Sequence, residues 1–125
     1  MLKLEELEVH QLAIECAKEV RTIVSRWENF AKFHFGGQWV EAADSIGLNF
    51  SEGYGRYFYK ENKQLCFYAR GSLLESKTVN TKTFKRNLIN NSEFDSLINK
   101  LEIILLKLNG YIKSIGKSRS KTIDK

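Results

Sequence analysis

At 125 residues, the chain is long enough to bury the core of one domain and too short for two domains of ordinary size. It has no proline, and its hydrophobic residues, 42% of the total, recur at intervals of three and four, which excludes a mainly β fold and favours an all-α one. The longest apolar run, 103–106, is far shorter than the ~20 residues that span a bilayer, and the acidic first residues do not resemble a signal peptide, so we expect a cytoplasmic protein without a membrane partner.

The first predicted helix runs from about Leu4 to Phe30. Its apolar stripe consists of Val9, Leu12, Ala13, Cys16, Val20, Ile23, Val24 and Trp27. The segment from Ala31 to Gly37 is predicted to be a short loop, because the two consecutive glycines at its end weaken a helix.

The second predicted helix runs from about Gln38 to Glu52. A row of small residues one turn apart would let another helix approach closely: Ala43, Gly47 and Ser51. Gly53 suits a left-handed position just past the helix end, and Gly55 adds a second bend. These residues predict a sharp corner into the next helix.

Polar and aromatic residues cluster at this corner. Asn49, Glu52 and Arg56 lie three or four positions apart, so they would share one helix face. With Gly53 and Gly55, we interpret them as a structural corner in which the guanidinium pairs with a carboxylate; the alternative is a small-molecule site. The neighbouring aromatic residues either stack bases or pack between helices or subunits: Tyr54, Tyr57, Phe58 and Tyr59.

The third predicted helix runs from about Tyr59 to Leu88 and carries much of the net charge of +5. Four of its basic residues occur in a stretch with no acidic residue: Lys77, Lys82, Lys85 and Arg86. They form a candidate nucleic-acid-binding site, because lysine and arginine bind phosphates. The alternative is a solvated helix end, where cations stabilise the helix dipole without any partner.

The fourth predicted helix begins at Ser92 or Asn91 as the N-cap, with Glu93 in its first turn. Its core stripe consists of Leu97, Leu101, Ile104, Leu105, Leu108, Ile112 and Ile115. Further apolar residues widen this stripe and predict a second contact, with another copy of the chain: Ile98, Ile103 and Leu106.

Four helices with short connections favour an antiparallel up-down four-helix bundle. No internal repeat or low-complexity linker divides the chain. We therefore expect one bundle domain over residues 1–115 and a basic, disordered tail over residues 116–125.

Nothing in the sequence favours an enzyme. Cys16 and Cys66 fall on apolar faces without metal-ligand or redox spacing, so we expect two buried, reduced thiols. A di-metal bundle needs Glu-x-x-His pairs, and neither His10 nor His34 has a glutamate three residues before it. We therefore expect no catalytic residue, no metal and no cofactor.

Two stretches carry a more specific pattern. The second helix and the corner contain Gln38, Trp39, Ala42, Ala43, Ser45, Ile46, Asn49, Glu52, Gly53, Gly55 and Arg56. The third helix contains Lys60, Glu61, Phe67, Ala69, Gly71, Ser72, Leu73 and Glu75. This pattern resembles that of the 23S rRNA intervening-sequence proteins, a family of small bacterial four-helix bundles often encoded within insertions in ribosomal RNA genes.

The resemblance implies a homo-oligomer, with a pentamer as the expected state, similar in shape to the accessory proteins of diversity-generating retroelements. It implies no enzymatic activity. We expect either an RNA accessory protein, whose partners are structured RNA or an RNA-processing or reverse-transcribing protein, or a structural or protein-interaction scaffold without nucleic-acid affinity. The chain departs from the family at Val40-Glu41, which replaces a basic pair and removes positive charge from the second helix, and at Gly47, which replaces a proline.

Overall fold

The computed structural model describes residues 4–116, which form four helices joined by short connections. These helices are α1 (Leu4–Ser25), α2 (Gly37–Tyr54), α3 (Tyr59–Lys85) and α4 (Asn91–Ser114). A helical turn at Asn29–Ala31 and a π-helical turn at Lys32–Gly36 lead directly into α2. The all-α prediction is confirmed, and the described residues contain no strand.

The helices form the predicted antiparallel up-down four-helix bundle. Each packs against its neighbours in chain order, and α1 closes the square by packing against α4. At one end of the bundle the α1–α2 connection meets the α3–α4 turn. At the other end α2 turns into α3 beside the end of α4, where the Asn62 amide donates to the Tyr111 hydroxyl at 2.9 Å. Apart from Gly116, the predicted tail lies outside the described residues.

The apolar stripes of the four helices share one core. Every residue of the predicted first-helix stripe is buried in this core or packs against it. Trp27 and Trp39 stack with their ring centroids 5.8 Å apart, which ties the α1–α2 connection to α2. The large side chains that α4 buries completely are Leu97, Leu101, Ile104 and Leu108. None of the described helices combines the length and the hydropathy needed to cross a membrane.

The predicted loop at Ala31–Gly37 is wrong. Helix α1 ends at Ser25, the chain turns at 26–28, and residues 29–36 are helical. Gly36 does not break the helix: a Cβ there would lie 2.6 Å from Cγ1 of Val24, so the glycine lets α1 approach this turn closely. Gly36 thus marks a packing contact, whereas a Cβ at Gly37 would meet nothing within 4 Å.

The end of α3 and the start of α4 also differ from the prediction by a few residues. Helix α3 ends at Lys85 rather than Leu88, and Asn87 adopts a positive φ of 61° just beyond it. The N-cap of α4 is Asn90 instead of Asn91 or Ser92. Its Oδ1 accepts from the Glu93 amide at 2.8 Å, and its own amide donates to the Glu93 carboxylate at 2.9 Å, which completes a capping box.

Candidate functional site

One end of the bundle collects basic side chains. It consists of residues 26–36 and 82–93, which we call the basic end. Three contacts join its two segments: the Arg26–Glu93 ion pair at 2.6 Å, the hydrogen bond from Trp27 Nε1 to the Leu88 carbonyl at 3.1 Å, and the Arg86 guanidinium 4.7 Å from the centroid of the Phe35 ring. The two connections therefore form one continuous surface.

Three of the four predicted nucleic-acid-binding residues lie at the basic end. Lys82, Lys85 and Arg86 are exposed in the last turn of α3 and just beyond it. Within residues 4–116, none of them makes an ion pair. The last carbonyls of α3 stabilise nearby cations through the helix dipole without neutralising them. The positive charge of Lys82, Lys85 and Arg86 therefore faces solvent.

Lys77 is separate from this group. It lies well before the end of α3, and its Nζ is 2.9 Å from Oε2 of Glu102 in α4. This ion pair bridges two neighbouring helices along the side of the bundle. The predicted set therefore divides into one paired lysine and three cations at the end.

The basic end carries a surplus of positive charge. Its basic residues are Arg26, Lys32, Lys82, Lys85 and Arg86. Its acidic residues are Glu28 and Glu93, and Glu93 is already engaged by Arg26. A local surplus of this kind attracts polyanions and accelerates their encounter with the protein.

The aromatic residues of the basic end were not among the predicted site residues. The rings of Phe30 and His34 stack with centroids 4.1 Å apart, and the exposed fractions of Phe30 and Phe33 are 73% and 80%. The sequence did contain a signal for them: the aromatic residues in 30–35 are spaced as on one face of a helix, which favours a helix over the predicted loop. The π-helical turn that orients these rings was not predictable from that spacing.

The opposite end contains the predicted structural corner, and we call residues 52–63 the corner end. Arg56 Nη2 lies 2.6 Å from Oε2 of Glu52, and Arg56 Nη1 lies 4.0 Å from Oε1 of Glu61. Asn49 does not join this cluster, because its amide donates to the Ser45 carbonyl one turn earlier in α2, at 2.9 Å. The guanidinium is thus compensated by carboxylates, at an exposed position.

The predicted left-handed conformation of Gly53 is wrong. Gly53 lies inside the last turn of α2, and Gly55 caps that helix with a φ of −80°. A Cβ on Gly53 would lie 3.0 Å from both Asn62 Oδ1 and Leu65 Cβ. The glycine therefore permits α2 and α3 to come close at the corner.

Both cysteines are buried, as expected, and their thiols are unreactive. Burial raises the pKa of the Cys16 thiol and of the Cys66 thiol to about 12, so both stay protonated at neutral pH. In the part of the chain that the structure describes, no three His, Cys, Asp or Glu residues are grouped to hold a metal ion. Glu75 accepts a hydrogen bond from Gln38 Nε2 at 3.5 Å.

Two sides of the bundle expose apolar residues. Between α1 and α2 lies a groove of about 550 Å³, lined by Ala13, Ile14, Gly47 and Leu48 among others. Leu74 of α3 is 48% exposed and Leu106 of α4 is 75% exposed. Ile103, 44% exposed, lies on the face of α4 that carries Lys100 and Lys107, which pair with α1. Of the three residues predicted to widen the α4 stripe, Ile103 and Leu106 are exposed and Ile98 is half-buried.

A model of the 23S rRNA-intervening sequence protein family matches residues 5–110 of the chain. Among solved structures, the chain is similar to the crystal structure of a protein with unknown function from the S23 ribosomal protein family of Bacteroides thetaiotaomicron. The match covers 89% of this chain and 100% of that one, with a TM-score of 0.83 and 19% sequence identity, so the likeness concerns the fold. No curated protein matches the chain.

Proposed function

The chain belongs to the 23S rRNA-intervening sequence protein family, and on that premise we propose that it is a non-enzymatic, homo-oligomeric RNA accessory protein of the cytoplasm. In this role it binds RNA phosphates through its basic end. Its partner is structured RNA or an RNA-processing or reverse-transcribing protein.

The observation that carries this proposal is the exposed cation cluster of Lys82, Lys85 and Arg86, which lacks acidic partners among the described residues. Phosphate oxygens are the natural partners of such a cluster. Binding to them releases counterions, so the affinity falls steeply with salt and depends little on base sequence.

Self-association extends the proposal. A second copy would cover exposed apolar residues of the bundle: Leu74, Ile103 and Leu106 on α3 and α4, and Ile14 and Leu48 on α1 and α2. The pentamer is the state that the family resemblance implies. An oligomer would present one basic end per subunit, so weak contacts with one RNA would add up to tighter binding.

The test is a salt titration of binding to an RNA hairpin, with sedimentation equilibrium to follow assembly. Replacing Lys82, Lys85 and Arg86 by glutamine should weaken binding and reduce the slope of log K against log[salt] by about 2 units, while the oligomer keeps its mass. The matched control replaces Lys60, Lys63 and Lys113 by glutamine, which removes the same charge elsewhere. Equal effects of both variants would contradict a site at the basic end.

The second candidate function is a structural or protein-interaction scaffold without nucleic-acid affinity. The exposed apolar residues on two sides of the bundle favour it, because they fit protein partners as well as further copies of the chain. A wild-type protein that shows no RNA binding at physiological salt, yet forms an oligomer, would establish the scaffold. A monomer at micromolar concentration would contradict self-association in either role.

A further inference from the structure

Two aromatic rings at the basic end form a small exposed stack. The centroids of Phe30 and His34 lie 4.1 Å apart, with 27° between the ring planes. Phe30 nevertheless remains 73% exposed, so its contact with His34 covers little of its surface. A large apolar ring kept in water at this position is available to a planar partner.

The backbone holds this stack in a fixed geometry. Nδ1 of His34 lies 3.0 Å from the Phe30 carbonyl, which can only accept, so Nδ1 carries the proton and donates it. The π-helical turn that contains His34 runs directly into α2 and is held against α1 where Gly36 meets Val24. The rings therefore do not have to be ordered when a ligand arrives, which lowers the entropic cost of binding.

Positive charge adjoins the stack. Phe35 follows His34 directly, and the Arg86 guanidinium lies 4.7 Å from the centroid of its ring. This cation–π contact joins the aromatic turn to the end of α3, where Lys82 and Lys85 are exposed. The helical turn that carries the stack thus contacts the end of α3 that carries the exposed cations.

Proteins that bind single-stranded nucleic acid use this combination: cations follow the phosphates, and aromatic rings stack on unpaired bases. A duplex offers phosphates but keeps its bases stacked on one another, so it gains nothing from the aromatic stack. A protein partner with an apolar anchor would bind the rings without needing the charge surplus. The surplus of positive charge therefore favours a nucleic acid over a protein as the ligand of the rings.

We propose that the Phe30–His34 stack receives unpaired bases of an RNA strand whose phosphates lie on Lys82, Lys85 and Arg86. The inference rests on the proposed RNA-binding function and adds a substrate class to it: single-stranded segments such as loops and ends, without strong base specificity. The aromatic stack makes the protein prefer single-stranded RNA over duplex RNA, and the cations make the affinity depend on salt.

The experiment compares the full chain with Phe30→Ala, measuring affinity for an unstructured RNA strand and for an RNA duplex of the same length. Loss of one stacking contact should weaken binding to the single strand about tenfold and leave the duplex affinity and the salt slope unchanged. The matched control is Tyr57→Ala, which removes a ring that is 74% exposed at the corner end and should change neither affinity. A 2-aminopurine base in the strand should change fluorescence on binding to the wild type and not to Phe30→Ala.

The outcomes separate this inference from the proposed function. Unchanged single-strand affinity in Phe30→Ala, with salt-dependent binding still lost in the triple glutamine variant, would overturn the stacking site and leave the RNA-binding role standing. No binding of either RNA by the wild type would overturn both. A changed oligomer mass in Phe30→Ala would identify Phe30 as a subunit contact and overturn the stacking site.

Discussion

The two ends of the bundle expose aromatic rings to the same degree but differ in the charges beside them. Phe30 at the basic end is 73% exposed, and Tyr57 at the corner end is 74% exposed. At the corner end, Arg56 lies between the carboxylates of Glu52 and Glu61. At the basic end, the cations of the α3 terminus have no such partner among the described residues.

This difference shows that an exposed ring is not by itself a functional signal. Single apolar residues on a protein surface are ordinary, and aromatic residues beside a compensated ion pair need no partner. An aromatic stack in a field of uncompensated positive charge is different, because both features suit the same ligand. We therefore interpret the corner end as structural and the basic end as the functional surface.

Gly53→Val tests the structural interpretation and should have the largest effect. The added side chain would come closer to Asn62 and Leu65 than van der Waals contact, since its Cβ alone would lie 3.0 Å from an atom of each. Overpacking of this kind costs about 1–3 kcal/mol, which thermal or denaturant unfolding would detect. Gly71→Val is the matched control, because a Cβ at Gly71 meets nothing within 4 Å. Equal stability of the two variants would show that α2 and α3 are not held closely at the corner.

Asn90→Ala tests how the basic end is stabilised and should have an intermediate effect. Loss of the N-cap leaves the Glu93 amide without its 2.8 Å hydrogen bond and should reduce the free energy of unfolding by about 1 kcal/mol. Asn91→Ala, one position later, removes a side chain of the same kind that is not the cap. The triple glutamine variant should change stability by no more than about 1 kcal/mol, since its residues are exposed, make no ion pair among the described residues and lose only the cation–π contact of Arg86 with Phe35. A larger loss in that variant would mean that the cations stabilise the fold.

The sequence predicted the core and the topology because these depend on local periodicity. The stripe of α1 and the core side of α4 repeat at helical spacing, so no tertiary information was needed to find them. The roles of Gly36 and Gly53 were not predicted, because they depend on tertiary contacts. A glycine either frees the backbone or admits a close neighbour, and the neighbours of Gly36 and Gly53 come from other helices.

The candidate site was predictable only in part. Lys82, Lys85 and Arg86 were found because no acidic residue interrupts their segment, but the pairing of Lys77 depends on the register of α3 against α4. The stack of Phe30 on His34 depends on where α1 ends. The sequence prediction placed the cap of α4 at Asn91 or Ser92, whereas Asn90 is the cap because Glu93, three residues later, completes a capping box with it.

Arg56→Ala should have the smallest effect on stability, and it tests whether the ion pair with Glu52 stabilises the corner end. The guanidinium lies 2.6 Å from Glu52, yet the side chains are 43% and 54% exposed, so water and salt screen the pair. A double-mutant cycle with Glu52→Ala should give a coupling free energy below about 0.5 kcal/mol that disappears at high salt. This result would place the stability of the corner in the close packing at Gly53 and not in the ion pair. A coupling of about 2 kcal/mol would instead make the ion pair the structural element, and Arg56 would then be the residue that the corner requires.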